Sequence, residues 1–164
     1  MPATASALAH ALDTADPAHK SDYEQNLNAF LTSLKPIENK IADMRKRYAG
    51  AEVTATEPVF GYMADALGLQ MRNQRFQLAV MNNTEPRPSD VIAFENDLKS
   101  RKVKVLIYNS QATDVAAQRL LSLARELHIP VVGVTETEPP GVKYQDWMMQ
   151  QLDSLDQALS NPSP

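Results

Sequence analysis

The sequence predicts an α/β protein with a four-stranded, mainly parallel sheet flanked by helices and preceded by one long helix. From residue 51 onward, short aliphatic runs alternate with longer helical segments. This alternation is typical of parallel sheets built with right-handed crossovers. An apolar stripe with helical spacing precedes that region, and 164 residues suffice for a domain with a real core.

The long helix is predicted from apolar residues that recur in alternating steps of four and three. Asp16 and Pro17 are the expected N-cap and first helical position, and Gly50 is the expected end. Pro36 lies inside the pattern and is predicted to kink the helix. The stripe consists of Tyr23, Leu27, Phe30, Leu34, Ile37, Ile41, Met44 and Tyr48.

This stripe is longer than one small lobe can comfortably cover. A helix rises about 1.5 Å per residue, whereas a 100-residue globule has a radius of gyration of only about 13 Å. Either a second lobe, a partner chain or a second copy of this chain covers one end, or a bend at Pro36 folds both halves onto one lobe. A short Ala/Leu helix is predicted before it, at residues 4–12.

We predict an N-terminal segment with the linking helix over residues 1–49, an α/β lobe over 50–160 and a disordered tail over 161–164. Gly68 is the expected C-terminal cap of the first helix in the lobe. Strands are predicted at 51–54, 75–81, 103–108 and 130–134, and helices at 58–68, 88–101, 112–127 and 141–159.

The composition excludes several classes of function. A net charge of −4 argues against nucleic acid as a partner, and the absence of cysteine excludes disulfides and thiolate metal sites. No run approaches the roughly 20 apolar residues that span a bilayer. The first residues lack the basic start and apolar stretch of a signal peptide, so this chain alone is expected to stay in the cytoplasm.

Two acids follow predicted strands and are the candidate metal ligands. Glu57 comes after the first strand and Glu136 after the last, and ligands of parallel sheets bind outside the carboxyl ends of strands. Carboxylates crowded there repel one another unless a cation, a proton or an arginine joins them. Each acid also has an ordinary explanation, because Glu57 precedes a helix whose dipole favours a carboxylate and Glu136 lies in a polar turn.

Neighbouring residues are assigned supporting or structural roles. The segments 82–85 and 109–111 are polar, are predicted to end strands, and either line the same cleft as hydrogen-bond donors or serve turn geometry. Phe60, Tyr62 and Met63 are expected in the core or the pocket wall, and Trp147, Met148 and Met149 in the core. His10, His19 and His128 lack metal-pair spacing and are interpreted as surface or cap residues.

No catalytic signature is present. The sequence contains neither a phosphate-binding loop nor a G-x-S-x-G nucleophile elbow. An acid/base pair of Glu57 and Glu136 in a small α/β enzyme would lack a nucleophile, a cofactor loop and an electrophilic group. The chain is therefore predicted not to be an enzyme.

Four segments of the chain share a pattern with a known family: Asp16–His19 with Tyr23–Leu27, Thr56–Tyr62, Lys104–Gln111 and Pro130–Thr137. Together they resemble the substrate-binding proteins of bacterial zinc and manganese ABC importers, over about residues 4–159. The pair formed by the second and the last segment is fairly specific.

The resemblance implies two α/β lobes joined by one long helix, with a divalent zinc or manganese ion held between them as transported ligand and no organic cofactor. It implies that Glu57 and Glu136 are the two metal ligands of the C-terminal lobe. The two histidines that the other lobe supplies in such proteins have no counterpart here. The implied location is periplasmic or at the cell surface.

The leading hypothesis is therefore the C-terminal part of a metal-importer binding protein, incomplete as a site on its own. Its partners would be the importer membrane subunit and the missing N-terminal lobe, encoded in the same gene or in another chain. The alternative is a stand-alone α/β interaction module that uses the exposed long helix to bind a partner or to form a homodimer.

Overall fold

The computed structural model describes residues 1–112 and 114–160. They form two compact units, Met1–Asn39 and a larger one from Lys40 onward. The tail predicted at 161–164, and Thr113 within the helix predicted at 112–127, lie outside the described residues. The domain boundary predicted at residues 49 and 50 stays a prediction.

The first unit is built around two packed helices. Helix α1 spans Pro2–Ala15, a short 3-10 turn spans Pro17–His19, and helix α2 spans Lys20–Ser33. Asp16 holds the N-cap position of the turn without a side-chain cap bond. Its carboxylate instead pairs with His19 Nδ1 at 2.8 Å and accepts a hydrogen bond from Tyr23 Oη at 2.8 Å.

The predicted long helix is divided into two helices. Helix α2 ends at Ser33 and helix α3 spans Lys35–Tyr48, with Leu34 between them. Proline has no N–H to donate, so Pro36 leaves the carbonyl of Thr32 without its i+4 donor. The backbone N–H of Leu34 donates to the carbonyl of Leu31 at 3.3 Å, in a tighter turn. All eight residues of the predicted stripe are buried or half-buried.

The larger unit holds the predicted four-stranded sheet, and every strand pairing is parallel. The spatial order is β2-β1-β3-β4, so β3 separates the first and last strands of the chain. The α/β fold class with a parallel sheet is confirmed. The strands are β1 (Glu52–Ala55), β2 (Gln70–Arg72), β3 (Leu106–Asn109) and β4 (Val131–Val134).

One predicted strand is wrong. The segment 75–81 lies within helix α5, Gln74–Met81, and the second strand is the three-residue β2 instead. Phe76, Leu78 and Val80 alternate in this segment, but Phe76 and Val80 are buried together with Gln77, whereas Leu78 is 48% exposed. That four-residue spacing is the period of a helix face, and tertiary packing decided which period was used.

The remaining helices cover the sheet. They are α4 (Gly61–Leu67, after a 3-10 turn at Pro58–Phe60), α6 (Pro88–Lys99), α7 (Val115–Glu126) and α8 (Tyr144–Ser160). Gly68 ends α4 with a φ of 70°, a backbone conformation that favours glycine. Phe76 and Phe94 meet edge to face at 5.1 Å in the core. Among the described helices, none is both long and apolar enough to span a bilayer.

Candidate metal site

The two predicted ligands lie at the same edge of the sheet. Glu57 follows β1 by two residues, and Glu136 follows β4 by two residues. Because β3 lies between these strands, their carboxyl ends are separated by two strand spacings, about 10 Å. Glu57 and Glu136 both line one cavity of about 390 Å³. The structure therefore brings the two acids to a common opening above β3.

Glu57 does not act as a helix cap. It holds the N-cap position of the turn at Pro58–Phe60, but its side chain makes no cap hydrogen bond. Instead, Asn109 Nδ2 donates to Glu57 Oε2 at 3.1 Å. Asn109 is the last residue of β3 and is buried. The Glu57 carboxylate is thus held over the neighbouring strand, where it leaves acceptor sites open to a cation.

The loop that carries Glu136 is held through its backbone. Gln111 Oε1 accepts hydrogen bonds from the backbone N–H groups of Glu136 and Thr137, at 2.9 and 3.1 Å. Gln111 Nε2 donates to Thr137 Oγ1 at 2.8 Å. These hydrogen bonds hold the backbone of Glu136. The residue is exposed, so its side chain can turn towards a ligand.

One segment joins the supports of both acids. The backbone N–H of Gln111 donates to Asn109 Oδ1 at 2.9 Å. The loop after β3 therefore connects the carboxylate of Glu57 to the backbone of Glu136 through two amide side chains. The segment 109–111 does not line the cavity itself. Its side chains hydrogen-bond to Glu57 and to the backbone of Glu136, and the bond from Gln111 to Asn109 also serves turn geometry.

The other polar segment, 82–85, does not have that role. It follows helix α5 rather than a strand, and Asn82 Nδ2 donates to the carbonyl of Leu78 at 2.8 Å. Thr84 likewise donates to the carbonyl of Ala79 at 3.1 Å through Oγ1. These residues close a helix end, which is the turn chemistry that the sequence offered as the alternative.

Trp147 and Met148 line the cavity, although core positions were predicted for both. Both residues are half-buried. Trp147 Nε1 donates to Thr135 Oγ1 at 2.7 Å, and the backbone N–H of Thr135 donates to Gln151 Oε1 at 3.2 Å. Helix α8 presents this face to the end of β4, where the sheet no longer covers it. The polar end of the indole would need a partner in a core, and Thr135 supplies one here.

The predicted wall residues Phe60, Tyr62 and Met63 all line the cavity. Phe60 is buried, whereas Tyr62 is 96% exposed at the rim. The three histidines are exposed, and none belongs to the cavity wall. His128 has a φ of 56° in the turn after α7, in keeping with the predicted surface or cap role.

The described cavity wall contains no lysine, arginine or histidine. Within the described ranges, no group of three or more His, Cys, Asp or Glu residues could hold a metal ion. Protein zinc sites normally have four ligands. The two carboxylates therefore form at most half of a metal site, with neutral amides and hydroxyls around them.

Comparisons with known proteins converge on metal uptake. The model of the family described as zinc-uptake complex component A, periplasmic (ZnuA), matches residues 1–158. The chain is 26% identical over 149 residues to the high-affinity zinc uptake system protein ZnuA of Bacillus subtilis (strain 168). The matched region covers 88% of this chain and 46% of that protein. It is 22% identical over 161 residues to the metal ABC transporter substrate-binding lipoprotein ScbA of Streptococcus cristatus, which covers 93% of this chain and 50% of that protein.

Solved structures of other proteins share this fold. The periplasmic zinc binding protein TroA from Treponema pallidum matches with a TM-score of 0.74 at 14% identity, over 95% of this chain and 59% of that chain. The chain spans about half the length of the curated relatives that it matches.

Proposed function

Because this chain belongs to the zinc-uptake complex component A family, we propose that it provides one half of the binding site of a metal-ion substrate-binding protein. The complete protein would carry zinc or manganese to the membrane subunits of an ABC importer, in the periplasm or at the cell surface. Glu57 and Glu136 are the metal ligands of this half, and the bound ion is cargo rather than a catalyst.

One observation carries this proposal. Two carboxylates from strands that are not neighbours line a single cavity, and one intervening loop supports both of them. The described wall of this opening has no basic residue, so the two acids repel each other unless a cation or proton joins them. The buried amide of Asn109 orients Glu57, as hydrogen-bonded supports of metal ligands do.

The ligand set also defines what is missing. Zinc sites usually combine nitrogen or sulfur donors in a tetrahedron, whereas this cavity offers two carboxylates. We therefore propose that a second polypeptide segment, in the same gene product or in another chain, supplies the remaining ligands from the open side. Carboxylate donors alone suit manganese as well as zinc, so the choice of metal depends on those additional ligands.

The proposal is tested by titrating zinc and manganese into the chain in a calorimeter, beside Glu57→Gln and Glu136→Gln. Weak binding by the unmodified chain should fall by at least about tenfold in either variant, because each loses one of two charged donors. Glu138→Gln is the matched control. Glu138 lies in the same loop as Glu136 but does not line the cavity, so its substitution should leave the affinity unchanged.

A second arm of the experiment asks whether the site is half-built. Imidazole added at constant free zinc should increase zinc binding, because its nitrogen occupies the open coordination positions. The increase should disappear in Glu57→Gln and Glu136→Gln. Submicromolar affinity that survives both substitutions would place the metal elsewhere and remove these two ligands from the proposal.

A further inference from the structure

Three methionines line the cavity that contains Glu57 and Glu136. Met63 lies on α4, Met81 is the last residue of α5, and Met148 lies on α8. We propose that their thioethers form a binding site for a soft monovalent ion, Cu(I) or Ag(I), which is distinct from the carboxylate half-site in the same cavity.

The placement of these methionines differs from that of methionines that fill a core. Met44 is fully buried at 0% exposure, whereas Met81 is 55% exposed, and Met63 and Met148 are half-buried. The whole chain contains seven methionines, and three of them occur among the few residues of this one wall. These three methionines therefore line the cavity and are not fully buried in the core.

The chemistry of the donors selects the ion. A thioether is a neutral, polarisable sulfur donor, and soft sulfur ligands select Cu(I) over the divalent ions that carboxylate and imidazole prefer. The chain has no cysteine, so methionine is its only soft donor. Methionine is unbranched with three rotatable bonds, which allows sulfurs that approach from three different helices to converge on one ion.

The surroundings favour a cation as well. Trp147 lines the same cavity, and the face of an indole attracts a cation within about 6 Å of the ring centroid. The two carboxylates lower the electrostatic potential of the cavity for any cation without having to coordinate it directly. Hard and soft donors thus line one opening, and each set should take its own kind of metal.

Silver is the probe of choice because Ag(I) has the softness of Cu(I) without its redox chemistry. The full chain, labelled with ¹³C at the methionine methyl groups, is titrated with Ag(I) and followed by NMR. The resonances of Met63, Met81 and Met148 should shift together and saturate at one ion per chain. The fluorescence of Trp147, the single tryptophan, should change with the same stoichiometry.

The triple variant Met63→Leu, Met81→Leu, Met148→Leu removes the sulfurs and roughly preserves side-chain volume. Its affinity for Ag(I) should fall by at least about tenfold. Met149→Leu is the control, because Met149 is the neighbour of Met148 along α8 but does not line the cavity. Zinc binding of the triple variant shows whether its carboxylate half-site is intact.

The soft site and the carboxylate site are separable. The double variant Glu57→Gln, Glu136→Gln should lose zinc but retain saturable Ag(I) binding with the same three methyl shifts. Silver binding that is unchanged in the triple variant overturns the soft site, as do shifts of equal size at Met1 or Met71. Neither result bears on zinc, so failure of this inference is distinguishable from failure of the proposed function.

Discussion

Acidic residues in two regions of the larger unit have opposite kinds of hydrogen-bond partners. On helix α8, the Asp156 carboxylate accepts hydrogen bonds from Lys40 Nζ at 2.7 Å, from Arg47 Nη1 at 2.6 Å and from Tyr48 Oη at 2.7 Å. At the carboxyl edge of the sheet, Glu57 accepts from one neutral amide, and the wall around it and Glu136 contains no basic residue among those described.

The pKa of Asp156 reflects this difference in partners. The Arg47 guanidinium, acting against burial, and the hydrogen bonds from Lys40 and Tyr48 hold the pKa of the Asp156 carboxyl well below its usual range. Asp97 is similar. Burial opposes its ionisation, but the hydrogen bonds from Arg72 and Asn73 outweigh that effect and lower the pKa of the Asp97 carboxyl.

Structural carboxylates and the proposed metal ligands of this protein thus differ in their partners. Asp156 and Asp97 have internal partners for their charge, so a metal ion would have to displace those partners. Glu57 and Glu136 have their positions supported by amides while their charge is left unpaired by the described cavity wall. That combination of a fixed position and an uncompensated charge is what a metal site requires.

Removal of both Glu57 and Glu136 should change metal binding more than any other substitution considered. The double variant Glu57→Gln, Glu136→Gln should lose measurable zinc binding in calorimetry, because no charged donor remains among the described residues of the cavity wall. The thermal midpoint of the metal-free protein should stay the same or rise, because the mutual repulsion of the two carboxylates is also removed. A large drop in the midpoint would show that these acids are structural, as Asp156 is.

Removal of a support should weaken the metal site without removing a ligand. Asn109→Ala deletes the donor to Glu57 Oε2 and should reduce zinc affinity by about 10- to 100-fold, the range for partners of metal ligands. Ser110→Ala is the control, because Ser110 Oγ donates to the carbonyl of Val134 instead. Equal losses in both variants would indicate a general effect on the loop.

Asp156→Asn should change stability and not metal binding, the reverse of what is expected for the double variant. It should lower the free energy of unfolding by about 1–3 kcal/mol, because the hydrogen bonds to Asp156 lose a charged acceptor and one oxygen is replaced by an amide donor. It should leave zinc affinity unchanged. Urea denaturation and calorimetry measure the two effects. Asp153→Asn, which removes a more exposed partner of Lys40, should cost less than about 1 kcal/mol.

The smallest effect concerns acid stability. Because the pKa of Asp156 is lowered in the folded state, its stabilisation is complete above the unfolded carboxyl value of about 3.9 and is lost as the pH falls through the folded value. The free energy of unfolding is measured at about pH 5 and at about pH 2 for the unmodified protein and for Asp156→Asn. The drop between the two pH values should be larger in the unmodified protein. Parallel losses would assign the acid sensitivity to other carboxyls, including Asp97.

The fold class could be predicted from the sequence because the period of its apolar residues changes along the chain. The apolar stripe before Gly50 has the spacing of a helix, and all its members are covered in the structure. Strands β1, β3 and β4 lie within a few residues of their predicted positions. The sequence pattern failed at residues 75–81, where alternation and helical spacing coexist and only packing around Phe76 selects the helix. Strand β2, with three residues, is too short to have a detectable period.

Part of the candidate site was predictable from chain order. An acid directly after a strand lies at the carboxyl edge of a parallel sheet, wherever that strand is placed in it. Glu57 and Glu136 therefore remain the candidates that the sequence indicated. Trp147 and Met148 were missed as cavity residues, because helix periodicity indicates which face is apolar but not where the sheet beneath it ends.

Local spacing along the chain is enough to specify the alternation of strands and helices and the two acids at strand ends. The position of β3 between β1 and β4 follows only from the folded chain, since strand order is set by contacts between distant segments. That insertion places Asn109 beside Glu57 and Gln111 beside the backbone of Glu136. The support of the site is therefore a product of the fold, whereas its charges were already present in the chain.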